Sequence, residues 1–162
     1  MVEMHLAAVR VELPTNTPIL LLQEANGARR TLPIYIGTVE ATAIAYALQG
    51  VVTPRPMTHD LMRDLLVDLG AVVECVVITE LRESTYFAEI RLLLAGQHHA
   101  VSARPSDAIA LATRVQAPIY AEDALLDAEG VVLPAEDEAE DEDLVVQFRE
   151  FIEGIRPEDF SS

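Results

Sequence analysis

The chain has 162 residues, 51% of them apolar, which is enough for one domain with a hydrophobic core. All 11 basic residues are arginines, against 27 acidic residues, and the formal net charge is −16. Tight, stable nucleic-acid binding is disfavoured because such binders normally present a basic surface to the phosphates. No apolar run approaches the roughly 20 residues that cross a bilayer, and no secretory signal opens the chain. We therefore expect a cytoplasmic protein with no membrane partner.

The first part of the chain predicts three antiparallel strands. Residues 2–13 alternate toward their end as a strand does, and apolar runs at 19–23 and 30–36 flank Asn26-Gly27. An Asn-Gly pair between apolar runs is typical of a hairpin turn.

Two helices are predicted next, over residues 39–49 and 59–69, with residues 51–57 as a linker. Thr38 and Thr58 are the expected helix caps. In the second helix the residues expected to face the core are Leu61, Met62, Leu65, Leu66 and Leu69.

Short elements follow up to residue 128. Strands are predicted at 74–81, 86–94 and 99–103, a helix at 106–115, an extended piece at 118–120 and a small helix at 122–128. Because strands and helices do not alternate regularly, a doubly wound parallel sheet is disfavoured. We expect an α+β domain with a largely antiparallel or mixed sheet and helices packed on it.

Residues 1–134 are predicted to be this single domain, and the acidic residues are concentrated after it. Residues 135–162 contain 11 acidic residues and 2 arginines. The acidic run at 135–143 predicts a disordered linker. Over 144–162, apolar residues recur at helical spacing, which predicts a short amphipathic helix that docks on the domain or on a second copy.

Two segments share one design, in which an Arg-Pro pair precedes a hydroxyl residue and an aspartate at a predicted helix start. They are Arg55-Pro56-Met57-Thr58-His59-Asp60 and Arg104-Pro105-Ser106-Asp107. A helix N-terminus offers unpaired N–H groups and a positive dipole, and arginine suits bidentate phosphate contacts. A phosphate site is one interpretation. The other is that Thr58 and Ser106 are ordinary caps, while Arg55 and Arg104 pair with Asp60, Asp107 or Glu40.

His59 and Glu40 each have two interpretations. His59 could be a general acid or base near neutral pH, or a partly exposed polar residue on the outer face of its helix. Glu40, in the first turn of the first helix, could be a metal ligand or a favourable charge near the helix dipole.

The sequence resembles the bifunctional nuclease domain family over about residues 3–133. The motifs that carry the resemblance are Leu32-Pro33-Ile34-Tyr35-Ile36-Gly37, Glu40-Ala41, the Arg55 segment and Ala103-Arg104-Pro105-Ser106-Asp107-Ala108-Ile109. The resemblance implies an α+β domain, self-association, with a dimer favoured, and hydrolysis of DNA and RNA. Family members often have an acidic residue where this chain has Ser102, and this departure counts against a metal ion bound there.

Two functions are predicted. In the first, the protein is a nuclease of low sequence specificity with nucleic acid as a transient substrate. Its predicted catalytic residues are His59, Asp107, Arg104 and Arg55. Substrate is bound by Arg55, Thr58, Arg104 and Ser106. The metal ion, Mg²⁺ or Mn²⁺, is held by Glu40, Asp60 and Asp107. In the second, the same polar residues form an ion-pair network in a non-catalytic oligomeric interaction or regulatory module, and the acidic tail meets a basic partner.

Overall fold

A computed structural model of the chain describes residues 1–133 and shows one α+β domain. The predictions for 135–143 and 144–162 lie outside the described residues. The strands are β1 (Val2–Glu12), β2 (Thr17–Glu24), β3 (Arg30–Tyr35), β4 (Val72–Arg82), β5 (Thr85–Leu94), β6 (Gln97–Ala103), β7 (Ile119–Ala121) and β8 (Val131–Val132). The helices are α1 (Thr38–Gln49), α2 (Thr58–Asp68), α3 (Pro105–Val115) and α4 (Asp123–Glu129).

The strands form one mixed sheet in the order β6-β5-β4-β7-β1-β2-β3-β8. Every neighbouring pair is antiparallel except β4 and β7, which are parallel. The short β7 joins the two halves of the sheet, because it pairs with β1 through Met4↔Ile119 and with β4 through Val76↔Ile119. The expectation of an α+β fold with a mixed sheet is confirmed.

The core lies between the sheet and helices α1 and α3. The α3 segment from Ala108 to Ala112 is completely buried, as are Leu20 and Leu22 of β2 and Ile44 of α1. Fully burying a leucine or isoleucine contributes about 1.5–3 kcal/mol, so this apolar contact is the main force that holds α3 in place. None of the helices within residues 1–133 is long and apolar enough to span a bilayer.

Helix α2 is amphipathic, but the prediction of its core face is wrong for three of the five residues. Leu61, Leu65 and Leu69 are exposed, while Met62 and Leu66 are partly buried against the core. The cause is that α2 packs on α3 rather than on the sheet, so only a narrow stripe of its surface is covered. In α1, Val39 and Leu48 near the two ends of the helix are exposed as well.

The helix caps also differ from the expected ones. The N-cap residues are Gly37, Met57 and Arg104, each in extended conformation, so Thr38 and Thr58 begin their helices instead of capping them. Pro105 is the first residue of α3, where its fixed φ suits a helix and no N–H donor is needed.

Candidate functional site

The N-terminal turns of α1, α2 and α3 meet at one cluster of charged side chains. Arg104 lies at the point where β6 ends and α3 begins. Glu40 and Asp107 lie in the first turns of α1 and α3, and His59 is the second residue of α2. We call these four residues (Glu40, His59, Arg104 and Asp107) the arginine–carboxylate cluster.

Asp107 is the centre of this cluster because it accepts hydrogen bonds from two residues. Arg104 donates through Nε to Oδ2 at 2.7 Å and through Nη2 to Oδ1 at 3.0 Å, a bidentate contact. His59 Nε2 lies 3.0 Å from Oδ1. Burial by itself would raise the pKa of Asp107, but the hydrogen bonds from Arg104 and His59 outweigh burial, and the pKa is lowered. Asp107 is therefore ionised at neutral pH.

The charge on Asp107 determines the tautomer of His59. An ionised carboxylate only accepts hydrogen bonds, so Nε2 of His59 carries the proton and donates it. When the ring is neutral, Nδ1 is then the atom that can accept a proton. The His59 side chain is 10% exposed, so the expectation of a partly exposed residue on the outer helix face is wrong. The reason is that α2 turns this face toward α3.

Arg104 is held by two carboxylates and is still open to solvent. Its Nη1 lies 2.8 Å from Glu40 Oε1, in addition to the contacts with Asp107, and the side chain is 66% exposed. The hydrogen bonds that Arg104 donates to Asp107 and Glu40 raise its pKa, so it stays charged. A guanidinium has five N–H donors and these three contacts use three of them, so two N–H donors remain for another ligand.

Asp60 belongs to a separate ion pair. Its Oδ1 accepts from Arg114 Nε at 2.6 Å, and its Oδ2 accepts from the Met57 N–H at 3.0 Å. Arg114 also donates to the carbonyls of Ala110 and Ala43, so it ties α2 to α1 and α3. Burial would raise the pKa of Asp60, but the bonds from Arg114 and Met57 more than offset it, and the pKa is lowered.

Sequence reasoning missed Arg114. The signal was an arginine in the last turn of an otherwise apolar helix, where its neighbours predict burial. Its side chain is only 5% exposed, and it takes the partner, Asp60, that sequence reasoning offered to Arg55.

Arg55 and Thr58 stand apart from the cluster. Both are exposed, and neither side chain makes a hydrogen bond or ion pair with the residues described, 1–133. The structure thus brings together Glu40, His59, Arg104 and Asp107. Arg55 and Thr58 are close to His59 in sequence, but they lie on the surface and do not contact the cluster.

The three carboxylates named as metal ligands are divided between two sites. Asp60 uses both oxygens on Arg114 and Met57, whereas Glu40 and Asp107 both contact Arg104. Within residues 1–133 no group of three or more His, Cys, Asp or Glu side chains is placed to hold a metal ion. The residues of this cluster therefore do not fit Mg²⁺ or Mn²⁺ as they are arranged.

The protein is of the class of mixed-sheet α+β domains, and the N-terminal turns of three helices surround its arginine–carboxylate cluster. Residues 20–134 match the model of the bifunctional nuclease domain. The chain belongs to this family.

The curated relatives fall into two groups. An uncharacterised protein of Mycobacterium tuberculosis is 47% identical over 165 residues, which covers 99% of this chain and 98% of the relative. Bifunctional nuclease 2 of Arabidopsis thaliana is 30% identical over 112 residues, covering 66% of this chain and 34% of the relative. Bifunctional nuclease 2 of Oryza sativa subsp. japonica is 27% identical, covering 70% of this chain and 36% of the relative. The chain therefore spans about a third of these plant proteins.

Proposed function

We propose that the protein is a nuclease that hydrolyses phosphodiester bonds in DNA and RNA with low sequence specificity. The observation that carries the proposal is the bidentate contact between Arg104 and Asp107, with His59 on the same carboxylate. This contact places the exposed Arg104 guanidinium beside a histidine whose tautomer is fixed. Phosphodiester hydrolysis can use the first to stabilise the charge on the phosphate and the second as the general base. The family, and the names of the plant relatives, favour the same activity.

Arg104 binds the scissile phosphate through the two N–H donors that the carboxylates leave free. As water attacks phosphorus, negative charge grows on the phosphoryl oxygens, and a guanidinium already in position stabilises that charge. Glu40 and Asp107 keep the side chain oriented, so little reorganisation is needed when substrate binds.

His59 takes the proton from the attacking water at Nδ1. The new P–O bond forms, the bond to the leaving oxygen breaks, and the leaving oxygen receives a proton from the imidazolium or from solvent. Asp107 stabilises the imidazolium through Nε2, as the aspartate of a catalytic triad does. Arg55 and Thr58, exposed near the start of α2, are proposed to contact a neighbouring phosphate.

Binding of a divalent metal ion by the carboxylates is proposed separately from this mechanism. Glu40, Asp60 and Asp107 would have to leave their arginine partners to bind Mg²⁺ or Mn²⁺, so the mechanism above uses only side chains of this chain. Activity measured with and without a chelator tests whether a divalent ion is needed.

The experiment measures cleavage of single-stranded DNA, duplex DNA and RNA by highly purified protein, with and without chelator. Arg104→Ala is expected to lower kcat/KM by about 100-fold or more, the size of effect seen when one donor to a developing anion is removed. Arg29→Ala is the matched control, because Arg29 lies in the turn between β2 and β3, outside the cluster, and should leave activity unchanged. Full activity in a folded Arg104→Ala protein would assign the hydrolysis to a contaminant.

A second function is supported by the charge of the cluster. One arginine faces two carboxylates, so with neutral His59 the cluster carries a net charge of −1 and opposes a phosphate. This arrangement also suits a non-catalytic oligomeric interaction or regulatory module held by ion pairs. In that case purified protein cleaves no substrate, while Arg104→Ala weakens subunit or partner association.

Self-association is proposed with either function. Leu61, Leu65 and Leu69 form an exposed apolar stripe along α2, which a second copy of the chain would cover. Light scattering is expected to show a dimer at micromolar concentration, and Leu65→Glu should shift it toward the monomer. A wild-type monomer under those conditions would contradict the proposal.

A further inference from the structure

An apolar groove of about 350 Å³ lies on the face of the sheet opposite the helices. The other face carries Leu20 and Leu22 of β2, which pack in the core with residues of α1, α3 and α4. Side chains alternate between the two faces of a strand, so Ile19 and Leu21 of the same strand line the groove. The proposed hydrolysis does not use this surface.

The floor of the groove is buried, but its edges leave apolar side chains in solvent. Leu21 and Thr31 on the floor are almost completely buried. Leu13 at one edge and Val131 at the other are exposed. Covering apolar surface contributes about 25 cal/mol for each Å² removed from water. The groove therefore suits an apolar segment that lies between these two edges.

The segment that follows the described residues starts at the rim of this groove, because Leu133 lines it. Leu133 comes directly after β8, which pairs with β3. Residues 134–143 connect it to Leu144, and a chain of about ten residues spans about 16–19 Å on average. Strand β3 has 6 residues and is about 20 Å long. Residues 144–155 are therefore within reach of the whole groove.

The sequence after Leu133 is complementary to the groove in apolarity and in charge. The apolar residues that recur there at helical spacing are Leu144, Val145, Phe148, Phe151, Ile152 and Ile155. Residues 135–162 contain 11 acidic residues and 2 arginines. Arg10 lines the groove, and Arg29 lies on the same face, where it donates to Gln23. An apolar stripe with acidic neighbours would therefore meet an apolar groove with arginines beside it.

We propose that residues 144–155 bind as an amphipathic helix in this groove of their own domain. The inference goes beyond the proposed nuclease activity and does not depend on it, because the groove and Arg104 lie on opposite faces of the sheet. A second copy of the chain is the alternative occupant. The connection favours the same chain, since a segment joined through about ten residues has an effective concentration of about 1 mM at the groove.

Disulfide formation in the full chain tests on which face the segment binds. Phe148→Cys is combined with Val131→Cys or with Val132→Cys, and Cys75→Ser removes the native thiol from both variants. Val131 lines the groove, whereas its neighbour Val132 points to the other face, and the two are 43% and 66% exposed. A disulfide needs Cα atoms within about 7 Å. We expect the Val131 variant to form it within one chain at least about tenfold faster than the Val132 variant.

Fluorescence gives a second measurement, because the chain has no tryptophan and Phe148→Trp introduces one. An indole bound in the groove emits at a shorter wavelength than in urea and is protected from quenching by acrylamide. Adding Val131→Glu should increase that quenching about twofold or more, because the new carboxylate would be buried under the segment. Adding Val132→Glu is the matched control and should leave both emission and quenching unchanged.

The inference is overturned if the Val131 and Val132 cysteine variants cross-link at the same rate, as an unbound segment would make them do. It is also overturned if the disulfide joins two chains on a non-reducing gel, which would assign the groove to a second copy. An indole as exposed in the native protein as in urea would overturn it as well.

Discussion

The ion pair between Asp60 and Arg114 is expected to fix the position of α2, and Asp60→Ala tests this. The substitution leaves the Arg114 guanidinium buried without its carboxylate and removes the acceptor of the Met57 N–H. Breaking a buried pair from one side costs about 3–5 kcal/mol. The Asp60 side chain is 21% exposed, so water can partly replace it, and we expect a loss of about 2–4 kcal/mol in the free energy of unfolding.

Asp64→Ala is the matched control on the same helix. Asp64 pairs with Arg63 at 2.7 Å, but the two side chains are 45% and 39% exposed, so the pair contributes about 0–1 kcal/mol. Urea unfolding followed by circular dichroism, at one protein concentration, measures both variants. Asp60 also lies in the first turn of α2, where any aspartate is favoured by the dipole, so the substitution removes that effect too.

A double-mutant cycle with Arg114→Met separates the pair from the dipole effect. The coupling free energy between Asp60→Asn and Arg114→Met should be about 1.5 kcal/mol or more, because the two groups are in direct contact. A loss for Asp60→Ala no larger than that for Asp64→Ala, or a coupling near zero, would refute the reasoning.

Three further outcomes are expected. The lowered pKa values of Asp60 and Asp107 give stability that is present above their ordinary value of 3.8 and is lost as the pH falls below it. The urea midpoint, measured as the pH is lowered, should show this loss of stability. The loss should be smaller in Asp60→Asn. Asp107→Asn should lower kcat by about 100-fold or more with a smaller change in KM, since the amide has one acceptor oxygen where Arg104 and His59 use two, and it lacks the charge that stabilises the imidazolium; an unchanged kcat would contradict the proposed proton transfer. In Gly37→Ala the new Cβ would collide with the Glu40 carboxylate, so we expect that carboxylate to move away from Arg104. The substitution should then tighten oligonucleotide binding and change the unfolding free energy by about 1 kcal/mol or less. Weaker binding would count against competition between Glu40 and phosphate.

The order of the elements and the motifs around the site can be predicted from local sequence signals. Period-two alternation, the Asn26-Gly27 pair and the Arg-Pro helix starts are local signals, because they depend on backbone sterics and on which face of one element is apolar. The hairpin of β2 and β3 and the starts of α2 and α3 therefore lie close to where they were predicted. The link between the Arg104 and Arg55 segments was also anticipated, and it exists as the contact of His59 with Asp107.

The partners of those side chains depend on how the helices pack together. Periodicity shows that α2 has an apolar face but not how wide a surface covers it, so Leu61, Leu65 and Leu69 were expected in the core and are exposed. Partner choice among three carboxylates and three arginines depends on distances across helices that no local pattern encodes. Packing of α2 on α3 gives Asp60 to Arg114 and leaves Arg55 in solvent. The fold also brings residues 34–37, 84–86 and 104–106 together around one cleft beside Arg104.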